Sequence, residues 1–312
     1  MRGGGCVQYK ILKLLSYLIC LLPYRLILLL GQGFGRLYYR IAARQRKRAV
    51  AQMQESLQIS AEQAERIAVN LFENLGRTFM EVMYMPAFTA EKMRRYVTVE
   101  NRHYLQEALA EGRGVVLLTA HIGNWEWLGA ALAMLGLPIT TVIKRQPNDQ
   151  HTQILNEYRE MAGIEVFASG TSELVSAAKA LKKGKILGFL ADQDAGQHGV
   201  FVDFLGKPAS TPLGPAVFAK RFRAPVVPVF IVREPAGGHK ILVSQPLYYQ
   251  DTGNEAQDLY RITEQMTGII EAMIQQYPDH WLWFQKRWNT PPEAVKASEQ
   301  QTAAAARRGQ GA

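Results

Sequence analysis

The apolar positions divide the chain into an N-terminal apolar segment, an amphipathic helix and a longer alternating part. Leu14–Leu30 holds eleven Leu or Ile residues in seventeen. Ser60–Gln63 then has the form of a capping box, which satisfies free N–H groups at a helix start. Apolar residues follow at every fourth position up to about Tyr84, which predicts a helix with one buried face. They are Ile67, Leu71, Leu75 and Phe79.

From Val97 onward, short apolar runs alternate with longer amphipathic ones. The predicted strands are Val97–Val99, Val115–Thr119, Ile139–Ile143, Glu165–Phe167, Ile186–Leu190, Val226–Val232 and Ile241–Ser244. The predicted helices are His103–Ala110, Trp125–Leu135, His151–Met161, Ser172–Lys182, Pro212–Phe222 and Ala256–Gln276. This alternation predicts an α/β fold with a central, mostly parallel mixed sheet flanked by helices.

The Leu14–Leu30 segment predicts an N-terminal membrane helix. Each Leu or Ile near the centre of a span contributes about −0.3 to −0.6 kcal/mol to insertion, and an Arg costs about 2.5–3.5 kcal/mol. Eleven apolar residues therefore outweigh Arg25, although Pro23 interrupts the helix. Both a kinked span and an interfacial helix fit this balance. A buried core helix and a cleaved signal peptide are the alternatives.

The charged residues indicate a partner and an orientation for the chain. The net charge is +9, which indicates an anionic partner or surface. The six cations from Arg36 to Arg48 outnumber those before the apolar segment. The positive-inside rule therefore predicts that the rest of the chain lies in the cytoplasm. The predicted organisation is a membrane anchor at 1–35, a cytoplasmic α/β domain at 36–292 and a disordered tail at 293–312. With Cys6 and Cys20 alone, no disulfide framework or cysteine zinc site is expected.

The candidate chemistry lies at Ala120–Trp127, A-H-I-G-N-W-E-W, directly after the Val115–Thr119 strand. His121 and Glu126 are five residues apart, about 140° apart on a regular helix. Gly123 and Asn124 permit a turn through which the two side chains meet. A carboxylate bonded to one imidazole nitrogen would make His121 a general base. A structural histidine is the competing interpretation.

Other reaction classes lack their motifs in this sequence. It contains no G-x-S-x-G, no H-E-x-x-H and no P-loop. Gly31, Gly33 and Gly35 resemble part of a dinucleotide fingerprint, but no strand precedes them. The remaining simple chemistry is direct transfer from an activated donor to a hydroxyl, with no metal and no cofactor.

Four blocks in order resemble the late acyltransferases of lipid A biosynthesis, the lauroyl/myristoyl transferase family. They are the membrane helix with H-x-x-x-x-E, the K-R-Q-P-N run at 144–148, the A-D-Q-D-A-G block from Ala191 to Pro215, and Trp281–Trp288. The resemblance implies acyl transfer from acyl-carrier protein to a hydroxyl of a lipid A precursor at the cytoplasmic face of the inner membrane. In that reaction His121 deprotonates the hydroxyl and Glu126 orients His121.

The resemblance also implies roles for other residues. The oxyanion or substrate-binding candidates are Arg145, Asn148, Arg159, Asp192 and Asp194. The acyl-groove candidates are Phe201, Val202 and Phe204. Each assignment has a structural alternative. Arg145 could pair at the surface, the two aspartates could form turns, and the groove residues could belong to the ordinary core.

The charge of the chain fits the donor that the resemblance implies, whereas one departure from the family pattern leaves the acceptor open. An acidic carrier protein fits the basic balance, with Lys182, Lys183, Lys185, Lys220, Arg221 and Arg223 as expected contacts. Gln285–Pro292 lacks two cations and a histidine that the family often has, which leaves the acceptor open between lipid A and another phospholipid, glycolipid or aminolipid. A non-catalytic lipid-binding membrane protein is the rival hypothesis. The apolar anchor argues against nucleic-acid binding at Arg44–Arg48.

Overall fold

A seven-stranded sheet organises the protein in a computed structural model, which describes residues 4–143, 150–168 and 171–293. The strands are β1 (Val97–Glu100), β2 (Val115–Thr119), β3 (Ile139–Ile143), β4 (Glu165–Ala168), β5 (Ile186–Leu190), β6 (Val200–Phe204), β7 (Lys207–Thr211), β8 (Val226–Arg233) and β9 (His239–Val243). The order in the large sheet is β1-β9-β8-β2-β5-β3-β4. The β8–β9 pair is antiparallel, and the other neighbours are parallel. The predicted mostly parallel mixed sheet is confirmed.

Helices cover both faces of this sheet. They are α1 (Gly4–Cys20), α2 (Tyr24–Ile41), α3 (Ala43–Leu57), α4 (Ala61–Met83), α5 (Ala90–Tyr96), α6 (Arg102–Ala110), α7 (Trp125–Met134), α8 (Gln150–Met161), α9 (Thr171–Lys182), α10 (Gly214–Phe222) and α11 (Glu255–Gln276). Val115 and Leu117 of β2 pack with α7 and α8 on one face. Val116 and Leu118 pack with α9, α10 and α11 on the other. Burial on both faces explains the unbroken apolar run of β2.

The seven predicted strands and six predicted helices of the alternating part are present, with ends that shift by one or two residues. The Ser60–Gln63 capping box is formed in both directions and opens α4. Two helices, α3 and α5, and the antiparallel β6–β7 hairpin were not predicted. Residues 294–312 of the predicted tail lie outside the described residues.

The N-terminal segment departs from the predicted single membrane helix. The Leu14–Leu30 run is divided between α1 and α2, and Leu21–Pro23 lies between them. Pro23 lacks the N–H that a continuous helix would need, and it stands as the N-cap of α2. Across the described ranges, no helix combines the length and the apolar character that a bilayer span requires. The structure therefore does not support a membrane-spanning helix.

Helix α2 packs against α4 at backbone contact distance because both helices carry glycine there. A Cβ at Gly35 would overlap the Phe72 carbonyl oxygen, and one at Gly76 would overlap the Gly31 carbonyl oxygen. Gly33, on the same helix, has open space around it. Gly31 and Gly35 thus serve helix packing, in agreement with the rejection of a dinucleotide-binding motif.

A buried carboxylate, Glu81 of α4, ties these helices to the sheet. It accepts from Tyr24 Oη at 2.6 Å, Asn124 Nδ2 at 2.9 Å and two Arg233 nitrogens at 2.7 Å each, and lies 3.0 Å from His239 Nε2. Burial alone would raise the pKa of Glu81, but Arg233 and His239 hold that pKa well below its usual range. The charged carboxylate therefore joins α2, α4, β8, β9 and the residue before α7. We call this cluster the Glu81 hub.

Candidate active site

His121 and Asp192 meet at the carboxyl edge of the sheet. Thr119 and Leu190, the last residues of the adjacent parallel strands β2 and β5, are paired in register. His121 and Asp192 each lie two residues beyond these positions. Neighbouring parallel strands thus deliver an imidazole and a carboxylate to one place, although 71 residues separate them. The carboxyl edge is where sheets of this type gather functional side chains.

The Asp192 carboxylate is fully buried and accepts four hydrogen bonds. Its Oδ1 is 2.8 Å from His121 Nδ1. Its Oδ2 accepts from the His121 backbone N–H at 3.0 Å, from Trp281 Nε1 at 2.8 Å and from Gln285 Nε2 at 3.1 Å. Burial alone would raise the pKa of Asp192, but His121 and these donors lower it to about 2. Asp192 is therefore ionised at neutral pH.

This carboxylate fixes the tautomer of His121. An ionised carboxylate only accepts hydrogen bonds, so Nδ1 carries the proton and Nε2 presents its lone pair. Burial lowers the pKa of His121, but Asp192 and, less strongly, Glu126 outweigh this and raise it above its ordinary value. The arrangement makes Nε2 a proton acceptor whose positive form is stabilised.

Glu126 does not make the contact that its sequence spacing suggested. It binds Arg159 of α8 through two hydrogen bonds, from Nε at 2.8 Å and from Nη2 at 2.5 Å. Because α7 begins at Trp125, Glu126 already follows helical geometry and faces α8 rather than the imidazole ring. This corrects the predicted His121–Glu126 hydrogen bond: Asp192 holds the ring nitrogen, and Glu126 acts on His121 through its charge.

The loop between β2 and α7 is held from three sides. Gly123 has φ of +61°, and a Cβ there would overlap the Ile231 carbonyl oxygen of β8. Its N–H donates to the His280 carbonyl at 3.0 Å. Asn124 caps α7 by accepting from Trp127 N–H at 3.0 Å while it donates to the Glu81 hub. The turn predicted at Gly123 and Asn124 therefore forms, and it sets the position of His121.

A cavity of about 400 Å³ adjoins this loop. His121, Glu126 and Arg159 line it, so the three groups face one space. Trp125 also lines the cavity, and its ring lies edge-on to His121 with centroids 4.9 Å apart. The apolar part of the wall comes from α7, β3, α8 and the start of β4. Its main residues are Leu128, Leu132, Ile139, Leu155 and Ile164.

The remaining predicted oxyanion or substrate-binding residues are Arg145, Asn148 and Asp194. Arg145 and Asn148 lie outside the described residues. Asp194 accepts from the Thr290 hydroxyl at 2.8 Å and from Gly196 N–H at 3.2 Å, so it closes the turn after β5, as the turn-former alternative proposed.

The three predicted acyl-groove residues lie in the β6–β7 hairpin and do not line the cavity beside His121. Val202 and Phe204 are buried in the core beneath α11. Phe204 lies against the Trp281 ring at 5.6 Å between centroids. This corrects their placement: Val202 and Phe204 pack in the core, Phe201 is only partly buried, and the cavity wall is formed by residues of α7, α8, β2, β3 and β5.

Sequence analysis missed the roles of Trp281 and Gln285. Both belong to the Trp281–Trp288 block, to which the sequence analysis assigned no site role, and both donate to Asp192. The signal available was an indole and an amide, each a hydrogen-bond donor, in a block that the family resemblance had already singled out. Within the described ranges, no group of three or more His, Cys, Asp or Glu side chains is placed to hold a metal ion.

Comparison with known proteins gives a consistent relationship over most of the chain. Residues 10–290 match the family described as bacterial lipid A biosynthesis acyltransferase. The chain is 26% identical to the lipid A biosynthesis lauroyltransferase of Escherichia coli over 285 residues, 89% of this chain and 90% of the relative. It is 30% identical to the phosphatidylinositol mannoside acyltransferase of Mycolicibacterium smegmatis over 217 residues, 68% and 69% of the two chains. The Mycobacterium tuberculosis enzyme of the same name is 28% identical over 222 residues, which cover 69% of this chain and 68% of the relative.

Proposed function

The chain belongs to the bacterial lipid A biosynthesis acyltransferase family, and from this premise we propose that it transfers a fatty acyl group from acyl-carrier-protein thioester to a hydroxyl of a lipid A precursor. As a member of the family it is an acyltransferase of the lipid A and glycolipid type. The observation that carries the proposed chemistry is the His121–Asp192 pair, which leaves one imidazole nitrogen free to take a proton beside a part-apolar cavity.

In the proposed reaction His121 Nε2 removes the proton from the acceptor hydroxyl as its oxygen attacks the thioester carbon. The imidazolium that forms is stabilised by Asp192. The tetrahedral intermediate then collapses, the carbon–sulfur bond breaks, and the imidazolium returns the proton to the departing thiolate. The acyl group ends as an ester, and His121 ends neutral.

Negative charge develops on the thioester oxygen during this reaction and needs a donor. Arg159 supports this role because it lines the cavity together with His121 and is held in place by Glu126. Arg145 remains a second candidate. The apolar side chains of Leu128, Leu132 and Leu155 suit the hydrocarbon chain of the acyl donor.

The proposed carrier-protein donor is supported by a basic groove between α9 and α10. Lys179, Lys182 and Arg221 line it together with Leu174 and Val217, which are 48% and 42% exposed. Cations around apolar side chains complement an acidic amphipathic helix. Of the other expected contacts, Lys185 is paired with Glu165 and Lys220 with Glu255.

Membrane attachment is proposed through the exposed apolar surface of α1 and α2, with the helices lying in the interface. The largest exposed side chains are Leu14, Tyr17, Leu21, Leu29, Leu37 and Ile41, each more than half exposed. So many exposed apolar side chains in one segment are unusual on a water-soluble monomer and typically mark an interaction site. The proposed location of the reaction is the cytoplasmic face of the inner membrane.

A second acceptor deserves equal testing because two of the relatives above are named phosphatidylinositol mannoside acyltransferases. Gln285, in the block where this chain departs from the lipid A pattern, binds Asp192. The same chemistry on a mannosylated or other glycolipid would use the same His121.

The test is to express the chain in a host that lacks its own late acyltransferases and to analyse the lipids by mass spectrometry. We expect an added acyl group on lipid A with the wild type, and a loss of roughly 10²- to 10⁴-fold in rate with His121→Ala. His198→Ala, an exposed histidine, is the matched control and should keep full activity. Near-normal activity of His121→Ala would disprove the general-base mechanism. A newly acylated glycolipid with unchanged lipid A would show that the acceptor is a glycolipid, and the proposed mechanism would still apply.

A further inference from the structure

A second cavity, of about 560 Å³, lies between the start of α2, the middle of α4 and the end of β8. Three arginines from these three elements line it: Arg25, Arg77 and Arg233. Within the described part of the chain, this cavity shares no lining residue with the 400 Å³ cavity beside His121. It is therefore separate from the proposed catalytic site.

The cations in this cavity are only partly neutralised. Arg77 lies 3.4 Å from Glu73, but burial lowers the pKa of Arg77 and the nearby charge of Arg233 lowers it further, so the two guanidinium groups repel each other. Both Nη atoms of Arg233 are bound to Glu81, but its buried Nε has no hydrogen-bond partner among the described residues. Arg25 is exposed and has no ion pair among the described residues. An anion in the cavity would relieve the repulsion and satisfy these donors.

The acidic groups around the cavity already have partners. Asp279 lies 2.8 Å from His280 Nδ1 and accepts from Asn74 at 3.2 Å. Glu234 lies 3.6 Å from Lys240 Nζ. With these carboxylates engaged, the arginines determine what the cavity attracts.

The cavity opens beside apolar side chains of α2. Leu28 and Leu29 line it one turn after Arg25, and Leu29 is 64% exposed. A cationic cavity that adjoins the partly buried Leu28 and the exposed Leu29 matches a molecule with an anionic head and a hydrocarbon tail. A small polar anion alone would leave this apolar edge unused.

We propose that the cavity of Arg25, Arg77 and Arg233 binds the phosphate group of a membrane lipid. Guanidinium groups present planar, paired donors that fit phosphate oxygens. The hydrocarbon of the same lipid lies along Leu28 and Leu29. This site goes beyond the proposed acyl transfer, since it requires neither the donor nor His121.

The test titrates the full-length protein with a soluble short-chain lipid, dihexanoyl phosphatidate, by calorimetry. Dihexanoyl phosphatidylcholine and inorganic phosphate are the comparison ligands. We expect phosphatidate to bind most tightly. Arg25→Gln and Arg77→Gln should each weaken phosphatidate binding about fivefold, because one cation near an anionic lipid headgroup contributes about 1 kcal/mol. Arg25→Gln is the decisive variant because its exposed side chain should leave folding intact.

Arg40→Gln is the matched control, since Arg40 is exposed on the same helix but lies outside the cavity. Equal weakening by Arg40→Gln and Arg25→Gln would show diffuse charge attraction and overturn the site. Inorganic phosphate binding as tightly as phosphatidate would overturn the lipid part of the proposal. Undetectable phosphatidate binding would overturn it entirely. His121→Ala should bind phosphatidate normally, so this result does not depend on acyl transfer.

Discussion

His121 obtains its proposed basicity from a charge buried beneath it. Asp192 is fully buried, yet four donors, the imidazole among them, keep it ionised, so its charge acts on His121 with little screening by water. The indole of Trp281 and the amide of Gln285 keep the carboxylate in place. The base therefore depends on a C-terminal segment that does not itself touch the ring.

Replacing Asp192 with Asn should reduce kcat by roughly 10²- to 10⁴-fold. The amide can donate to Nδ1 and so favour the wrong tautomer, and it no longer stabilises the imidazolium. The measurement is the rate of acyl transfer at saturating donor and acceptor.

The pH profile gives a second measurement of the same contact. Only neutral His121 accepts a proton, so activity of the wild type should rise with pH through a midpoint above 6.5, since the pKa of His121 is raised. Asp192→Asn removes the main cause of that increase, so its midpoint should move to lower pH. Asp194→Asn is the control, and its midpoint should match the wild type. An unchanged midpoint in Asp192→Asn would contradict the assigned role of Asp192.

Glu126 and Arg159 form a buried pair whose stability effect is also testable. Their side chains are 7% and 13% exposed. Glu126→Ala should lower the free energy of unfolding by about 3–5 kcal/mol because it leaves the Arg159 charge buried and unpaired. Urea denaturation measures this.

The double variant Glu126→Gln/Arg159→Met should recover most of the stability, because no unpaired charge remains. Glu62→Gln, which breaks the exposed Glu62–Arg66 pair, is the control and should cost less than about 0.5 kcal/mol. A loss in Glu126→Ala as small as in this control would show that the pair contributes little.

At the scale of elements, the α2–α4 contact depends on glycine at the crossing. Gly31→Ala and Gly35→Ala should each destabilise the protein by about 1–3 kcal/mol, because the added methyl group meets backbone atoms that cannot move aside. Thermal or urea unfolding provides the measurement.

Gly33→Ala is the matched control in the same helix. Open space surrounds Gly33, so alanine there should stabilise the protein by up to about 1 kcal/mol through its better helix propensity. If all three substitutions had the same effect, helix propensity rather than close packing would explain the glycines.

The elements that sequence analysis predicted well are those whose pattern reflects burial. The apolar run of β2 and the four-residue period of α4 predicted the right element because tertiary packing favours the same choice as the local pattern. α3 was missed because its first turns, Ala43–Arg48, are basic and carry no apolar period. The β6–β7 hairpin was missed because its residues were interpreted by family resemblance rather than by their alternation.

The His121–Asp192 contact was beyond sequence analysis for another reason. Both residues were named as candidates, but their pairing depends on β2 and β5 being neighbours in the sheet. The order of strands is set by packing of the whole chain, and residue spacing carries no information about it. Spacing suggested Glu126 because that residue was the nearest carboxylate along the sequence.

At the scale of the whole molecule, the apolar surface of α1 and α2 should control attachment to lipid vesicles. Leu21 and Leu29 are 65% and 64% exposed. Leu21→Gln and Leu29→Gln should each weaken binding to phosphatidylcholine vesicles about tenfold, as expected for losing roughly 1.4 kcal/mol of apolar burial. Flotation of the full-length protein with vesicles measures the bound fraction.

Met161 provides the control, since it is 63% exposed at the end of α8 and belongs to neither α1 nor α2. Met161→Gln should leave vesicle binding unchanged. If it weakened binding as much as Leu29→Gln, attachment would not be specific to the N-terminal helices.

The Glu81 hub has a mechanical consequence for a protein attached in this way. Tyr24 stands at the start of α2, the helix proposed to face the membrane, Asn124 stands three residues after His121, and both bind the same carboxylate. In the proposed attachment, this shared carboxylate would hold the loop that carries His121 at a fixed height above the bilayer. The proposed consequence is that acceptors are selected by how far their hydroxyl projects from the membrane.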